Sequence, residues 1–328
     1  MQYRRLGKTG MNISAISLGT WQVGGKWGSH FNNENAGAIL NKAIDAGINF
    51  IDTADVYSDG ESEKAVGRVL KTRSEKIFVA TKCGRQIQPH VNEGYQPAVL
   101  RKYVEDSLKR LQLETIDLIQ LHCPPTQVYY RPEIFALFDT LKQEGKIQHL
   151  GVSVEKVEEA LKAIEYDNVT TVQIIFNMFR QRPSQLFFEQ AMKKDIGVIV
   201  RVPLASGLLT GTYSKQTSFT AGDHRNFNRN GEAFDKGETF SGIDYETGLT
   251  AVEALKQIFP GQQNLAPFAL RWILQFHAVS CIIPGASTAQ QVGANLTALD
   301  LPVLTTAQLE AVNAVYEKYI RKTVHHLW

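Results

Sequence analysis

Asp52, Tyr57, Lys82 and His122 each stand at or just beyond the end of a short apolar run. Singly, each has a structural reading: a helix cap, a half-buried aromatic, a snorkelling amine, an imidazole bonded to a neighbouring backbone. Gathered where three consecutive strands end, they bring an acid, a phenol, an amine and an imidazole within reach of one substrate atom. A free tyrosine titrates near 10. An ammonium beside it stabilises the phenolate, so Lys82 is expected to lower Tyr57 and make it a proton donor. The carboxylate of Asp52 would fix the lysine and keep it charged, and His122 would hydrogen-bond the same substrate oxygen as Tyr57, orienting and polarising a carbonyl. None of the four is a reductant, so the electrons must come from a cofactor. A Schiff-base lyase built on Lys82 would need a desolvated amine, which the adjoining Asp52 opposes.

Strands must deliver this set. Eight short apolar runs, at 15–18, 48–52, 77–82, 116–122, 148–153, 171–177, 197–202 and 280–283, alternate with amphipathic stretches at 96–111, 133–143, 154–164, 184–193, 266–275 and 288–299. This is the pattern of βα units and a parallel sheet. Gly47 and Gly145 punctuate helix ends and Pro132 a helix start. Eight units in 328 residues predict a single (β/α)8 TIM barrel over residues 1–328. An open dinucleotide-binding sheet fits less well, because no Gly-x-Gly-x-x-Gly follows an early strand. Residues 3–14, with Lys8-Thr9-Gly10, read as an N-terminal β-hairpin. The polar, glycine-rich stretch 211–248 reads as a long loop after strand seven, a flap on the face where barrel active sites form.

Composition narrows the partners. With 35 basic and 33 acidic side chains the formal charge is +2, and no Lys/Arg block is dense enough for a phosphate backbone, so nucleic acid is not expected. No run approaches the roughly 18 apolar residues of a membrane span, and the basic start MQYRRLGKTG lacks a signal-peptide core, so a cytoplasmic protein is expected. Cys83, Cys123 and Cys281 have no zinc or dithiol spacing, and the adjacent His325-His326 has no third ligand, so no metal is expected. Following Lys82 and His122 in their strands, Cys83 and Cys123 should point away from the barrel axis, toward the helices.

The segment Phe50-Ile-Asp-Thr-Ala-Asp-Val-Tyr57 resembles the signature of the aldo-keto reductase family. Val79-Ala-Thr-Lys82 is similar to its lysine strand and Leu121-His122-Cys-Pro to its histidine strand. Further matches are Gly19-Thr20-Trp21, Gly151-Val-Ser153, Val172-Gln173, Pro203-Leu204, Gly207-Leu-Leu-Thr-Gly211 and Ile283-Pro-Gly-Ala-Ser287 with Asn295. The resemblance implies a barrel that binds NADP(H) without a Rossmann fold and transfers hydride to an aldehyde or ketone, with Tyr57 as general acid supported by Lys82, Asp52 and His122. It also implies a cofactor site formed by Gly19, Thr20, Asp52, Ser153 and Gln173 at the nicotinamide end. Pro203, Leu204, Ser206 and Gly207 would follow the pyrophosphate, and Gly285, Ala286, Ser287, Gln291 and Asn295 the adenosine. Trp21, Trp27 and Trp328 are the expected walls of the substrate pocket.

This chain departs from the family pattern at three places. Arg201 stands where an aromatic commonly stacks on the nicotinamide; its planar guanidinium can also stack, but adds charge. Val154 replaces a common asparagine. The loop Gly285-Ala-Ser-Thr-Ala-Gln-Gln291 lacks the base that grips a 2′-phosphate, leaving neutral donors and, from the flap, Arg225 or Lys215. NADP(H) is therefore the expected cofactor, with NAD(H) open. The alternative to a reductase is a sensor or ancillary subunit that binds the cofactor with little turnover.

Overall fold

The computed structural model describes residues 1–328. Ten strands form two sheets. β1 (Tyr3–Arg5) pairs antiparallel with β2 (Asn12–Ser14), Tyr3 opposite Ser14. The rest are β3 (Leu18–Gly19), β4 (Phe50–Asp52), β5 (Phe78–Cys83), β6 (Ile116–His122), β7 (Ile147–Ser153), β8 (Val169–Ile175), β9 (Gly197–Arg201) and β10 (Val279–Ile282), which run side by side in chain order. All their pairings are parallel. The sheet curls, and bonds from Ser17 N to Ile282 O (2.9 Å) and Ile282 N to Ala15 O (3.0 Å) join its two edges.

A strand covered on both faces has no solvent side, so it needs a continuous apolar run rather than an alternating one. β8 is buried at every position. Alternate residues of the sheet's strands serve two packing layers, β8 giving Val169, Val172 and Ile174 to the first. One is the cluster of 79 residues between the sheet and its surrounding helices. The other is a cluster of nine, Leu6, Met11, Ile13, Phe50, Ala80, Leu118, Ile199, Cys281 and Ile283, in which the β1–β2 segment joins residues from five strands of the curled sheet or just beyond one. The β1–β2 segment thereby seals the sheet's interior, leaving polar side chains for the opposite end, where the strands finish.

Several boundaries differ from the sequence reading. The first parallel strand keeps only Leu18–Gly19, and the sixth runs over Val169–Ile175, two residues earlier than its apolar run suggested. Helices Val157–Ala163 and Phe187–Lys193 start three residues late, since the residues before them turn out of the strand or form a short 3-10 turn. Beyond β9 the chain passes through short helical turns before the helix Tyr245–Ile258. No helix is long and apolar enough to cross a membrane.

Leu118, fully buried in the interior cluster, reports on this packing. Leu118→Ala is expected to lower unfolding free energy by about 3 kcal/mol, as a transfer loss plus a cavity. Denaturant titration measures it, and a loss under about 1 kcal/mol would mean that the interior is loosely packed.

Candidate active site

The strand register sets the core of the site. Asp52 ends β4 opposite Ala80, while Lys82 on β5 lies opposite Gln120 and His122 ends β6 opposite Ser153. Ala80 and Lys82, two residues apart, share the inward face. Gly151 makes room for this polar layer: a Cβ there would meet Thr171 Oγ1 at 2.1 Å and Gln120 Cγ at 3.3 Å.

Lys82 Nζ donates to Asp52 Oδ1, to the carbonyl of Thr53 at 2.8 Å and to Tyr57 Oη at 3.3 Å. Three ammonium hydrogens thus meet three acceptors. The other carboxylate oxygen, Asp52 Oδ2, accepts from Gln120 Nε2 at 2.9 Å and Gln173 Nε2 at 2.8 Å. The Lys82 and Asp52 side chains are only 1% and 2% exposed. An ion pair so dry persists because its remaining hydrogen-bonding capacity is met. Gln120 escaped the sequence reading because a glutamine inside an apolar run carries no motif.

Tyr57 reaches the lysine from a tight turn. Ser58, Asp59 and Gly60 have φ of 49°, 54° and 87°, and return the chain into the helix Glu61–Leu70. Trp21 stacks on the phenol at 6.2 Å between centroids, and the His122 ring meets it edge-on at 6.0 Å.

Burial would lower Lys82, but Asp52 and Tyr57 outweigh it and hold the amine above its usual value, so it stays charged. Tyr57 behaves otherwise than the sequence suggested. Burial pushes the phenol up, and Lys82 only partly offsets this because its charge is shared with Asp52. Burial drives His122 well below its usual value, aided by Arg85, Lys82 and Arg201. The imidazole is therefore neutral, and its buried Nδ1 has no partner.

A second layer of charge lies beside this set. Arg201 Nη2 donates to Val154 O at 3.1 Å and lies 2.9 Å from Glu155 Oε1, and Nη1 is 3.7 Å from Glu238 Oε2. Burial pushes Glu155 up to about 8. Burial opposes ionisation of Glu238 too, but Arg85 and Arg201 hold it well below the usual range. Cys123, Glu155 and Glu238 approach within 4.8 Å of one another, and the Arg201 guanidinium is the cation they surround. Cys123 does not follow strand alternation toward the helices: β6 ends at His122, Cys123 takes φ 46°, and its Sγ lies 3.4 Å from Ser153 Oγ and 3.5 Å from Arg201. Glu155, with Lys162, reads in the sequence as part of a charged, solvated helix face, but it precedes the helix Val157–Ala163 and its side chain is largely buried against Arg201; Glu238 comes from the polar flap, where a charged residue is unremarkable.

Thr20 N and Oγ1 bond Asp52 O at 2.9 and 3.1 Å, and a Cβ on Gly19 would come within 2.7 Å of Ile283 O. Ser153 faces Gln173 across β7 and β8. Pro203, Leu204, Ser206 and Gly207 form a turn after β9 with left-handed φ at Val202 (50°), Ala205 (47°), Ser206 (55°) and Gly207 (96°). For a β-branched valine this is an outlier that its surroundings must impose. The 285–287 loop is clasped by its own helix. Gln291 Oε1 accepts from Ser287 N (2.7 Å) and Oγ (3.2 Å), and Asn295 Nδ2 donates to Gly285 O (3.4 Å). Ala286 between them is buried.

Trp21 and Trp27 line a cavity of about 280 Å³ with Phe31, His224, Phe227 and Phe234, next to Ser58. Trp328 is elsewhere: it lies under the Arg180 guanidinium at 4.4 Å, donates to Asp235 Oδ1 at 2.9 Å, and fills space that a Cβ on Gly242 would enter at 2.2 Å. It supports the flap instead of walling that cavity. In the flap, Arg225 is held by Asp223 and stacks near Trp27, and Lys215 pairs with Glu246 at the surface.

The sequence profile of the Aldo/keto reductase family matches residues 15–317. The chain belongs to this family. YqkF, an oxidoreductase of Bacillus subtilis, is 29% identical over 325 residues, covering 98% of this chain and 99% of its own. The NADH-specific methylglyoxal reductase of Escherichia coli is 29% identical, over 90% of this chain and 93% of its own. Among solved structures, a glycerol dehydrogenase from Gluconobacter oxydans superposes with a TM-score of 0.79 at 30% identity, covering 97% of this chain and 96% of that one. As an aldo/keto reductase the chain is an oxidoreductase with a small-molecule carbonyl as its substrate class, in a family that uses nicotinamide cofactors.

His224, on the cavity wall, is pressed down to about 4 by burial. Unfolded histidine titrates near 6.5, so between those values the unfolded chain binds the extra proton, and acidification removes stability that is present above pH 6.5. Relative to His224→Gln, the wild-type protein is expected to lose up to about 3 kcal/mol from pH 6.5 to 4. Parallel unfolding curves for the two proteins over that range would overturn this assignment.

Proposed function

We propose that this chain is an NADP(H)-preferring aldo/keto reductase, with NAD(H) accepted, in which Tyr57 protonates the oxygen of an aldehyde or ketone. The observation that carries the reading is the Lys82 ammonium fixed between Asp52 and Tyr57 Oη, beside a neutral His122 with an unpartnered ring nitrogen. The joined sheet edges support reading residues 1–328 as one (β/α)8 barrel domain.

The residues present fit a nicotinamide dinucleotide. Ser153 and Gln173 would hold the carboxamide, and the Arg201 plane would lie on the ring. The strained turn Val202–Gly207 would follow the pyrophosphate, and Gly285–Ser287 with Gln291 and Asn295 would take the adenosine. When bound, such a cofactor supplies the hydride. The protein's own part is acid catalysis and exclusion of water. His122 donates to the carbonyl oxygen and orients it, as a neutral imidazole can. Tyr57 then gives its proton to the oxygen as negative charge develops, and the phenolate left behind is stabilised by Lys82, whose charge Asp52 maintains. Without the lysine, burial would make that phenolate prohibitively costly. Trp21, Trp27 and Phe234 keep the cleft dry. The buried, unpaired cysteines suit a reducing, cytoplasmic setting. No base grips a 2′-phosphate at Ser287, so preference for NADPH rests on neutral donors and is modest.

Tyr57→Phe is expected to lower kcat for carbonyl reduction, read at 340 nm, by at least about a thousandfold while leaving cofactor affinity within about threefold. Loss of both together would make Tyr57 a structural residue. Fluorescence titration is expected to give a lower Kd for NADPH than for NADH, and equal or tighter NADH binding would reject the cofactor preference.

A further inference from the structure

Arg85 follows Lys82 by three residues, beyond the end of β5, and nothing in the proposed reduction uses it. After burial itself, its charge is the largest cause of the depressed His122. Its guanidinium lies 5.7 Å from the Phe234 ring centroid, and Phe234 walls the aromatic cavity next to Trp21 and Ser58. A cation therefore lies close enough to act on the catalytic imidazole and stands beside a wall of the cleft.

Its partnering is incomplete. The Arg85 side chain keeps 20% of its surface, and its ionic partner is Glu238 Oε1, 3.2 Å from Nη1. Glu238 Oε1 nonetheless accepts no hydrogen bond. A guanidinium facing a carboxylate usually forms two parallel N–H···O bonds at about 2.8 Å; here the fork is unanswered. The partner is also carried by the short turn Lys236–Glu238 of the flap, not by the sheet. Arg85 and Arg201 share the one carboxylate of Glu238, and burial opposes ionisation of Glu155, the other acidic neighbour of Arg201.

We propose that Arg85 recognises an anionic group, carboxylate or phosphate, carried by the substrate a few bonds from its carbonyl, with Glu238 giving way to it. The substrates of this chain are then small anionic aldehydes or ketones. Phe234 and the cleft receive the uncharged part, and the guanidinium fork sets the distance from the anion to the carbon beside Tyr57 and His122. This deepens the reductase reading and rests on it.

Two substrate pairs test the inference with the full-length protein and NADPH: succinic semialdehyde against butanal, and glyceraldehyde 3-phosphate against glyceraldehyde. Whichever pair gives the larger charged-over-neutral ratio of kcat/KM identifies the anion as carboxylate or phosphate. Arg85→Gln is expected to lower that ratio about 30-fold, the scale of hydrogen bonds to a charged group. Arg85→Lys should restore part of it, and Glu238→Gln should raise it by removing the competing carboxylate. Equal loss on both members of each pair, or no preference in the wild type, overturns the inference and leaves Arg85 as a latch for the flap. Binding of succinate, which is not reduced, is followed by calorimetry on the cofactor-loaded protein. If it weakens about 30-fold in Arg85→Gln while no carbonyl is turned over, the anion site stands and the reductase reading falls. If succinate binds wild type and Arg85→Gln alike, the anion site falls whatever the turnover.

Discussion

A lysine ammonium and an aspartate carboxylate, both almost wholly removed from water, sit at the centre of this molecule. Such a pair is costly to bury and persists only if its geometry is good and its spare hydrogen-bonding capacity is filled. That requirement reaches far. It calls for Gln120 and Gln173 on two further strands to answer Asp52 Oδ2. It calls for the carbonyl of Thr53 and the hydroxyl of Tyr57 to answer Lys82, and for no side chain at Gly151, where a Cβ would press on Gln120 and Thr171. Residues from β4 to β8 are thus tied to one ion pair, and the phenol is placed as part of the same arrangement.

Charge is handled differently in the two layers of the site. In the inner layer Asp52 answers Lys82, the phenol is driven upward by burial and the imidazole downward. Both rings therefore start neutral, the state from which each can donate a hydrogen bond or a proton to a carbonyl oxygen. In the outer layer arginines and glutamates meet without full hydrogen bonding, with Glu238 arriving on the flap. An inner layer that is saturated suits fixed chemistry. An outer layer that is not saturated suits exchange with a ligand, since unmet donors lose little when a partner is swapped.

The flap is fastened more firmly than its polar sequence suggests. Asp235 accepts from the Trp328 indole and from Gly237 N at the start of the turn that carries Glu238, while Ser206 Oγ donates to Glu238 O at 2.9 Å. The end of the chain, the turn after β9 and the charges at the mouth are so linked. Trp328, expected as a pocket wall, works instead through this packing, and neither its type nor its position in the sequence could separate the two roles.

The sequence by itself determined the strand periodicity, the order of the units and the four residues at their ends. Apolar runs and chemistry-bearing side chains are local signals, and a parallel sheet leaves its strand ends no other face on which to gather. Tyr57, Lys82, Asp52 and His122 were legible for that reason, and so was the family. Only the tertiary structure decided what surrounds them. That Gln120 serves Asp52, that Cys123 turns into the mouth, that burial outweighs Lys82 at Tyr57, and that Glu155, Glu238 and Arg85 meet there all depend on contacts between distant segments. Desolvation and charge sum over everything nearby in space, and no spacing along the chain encodes that sum.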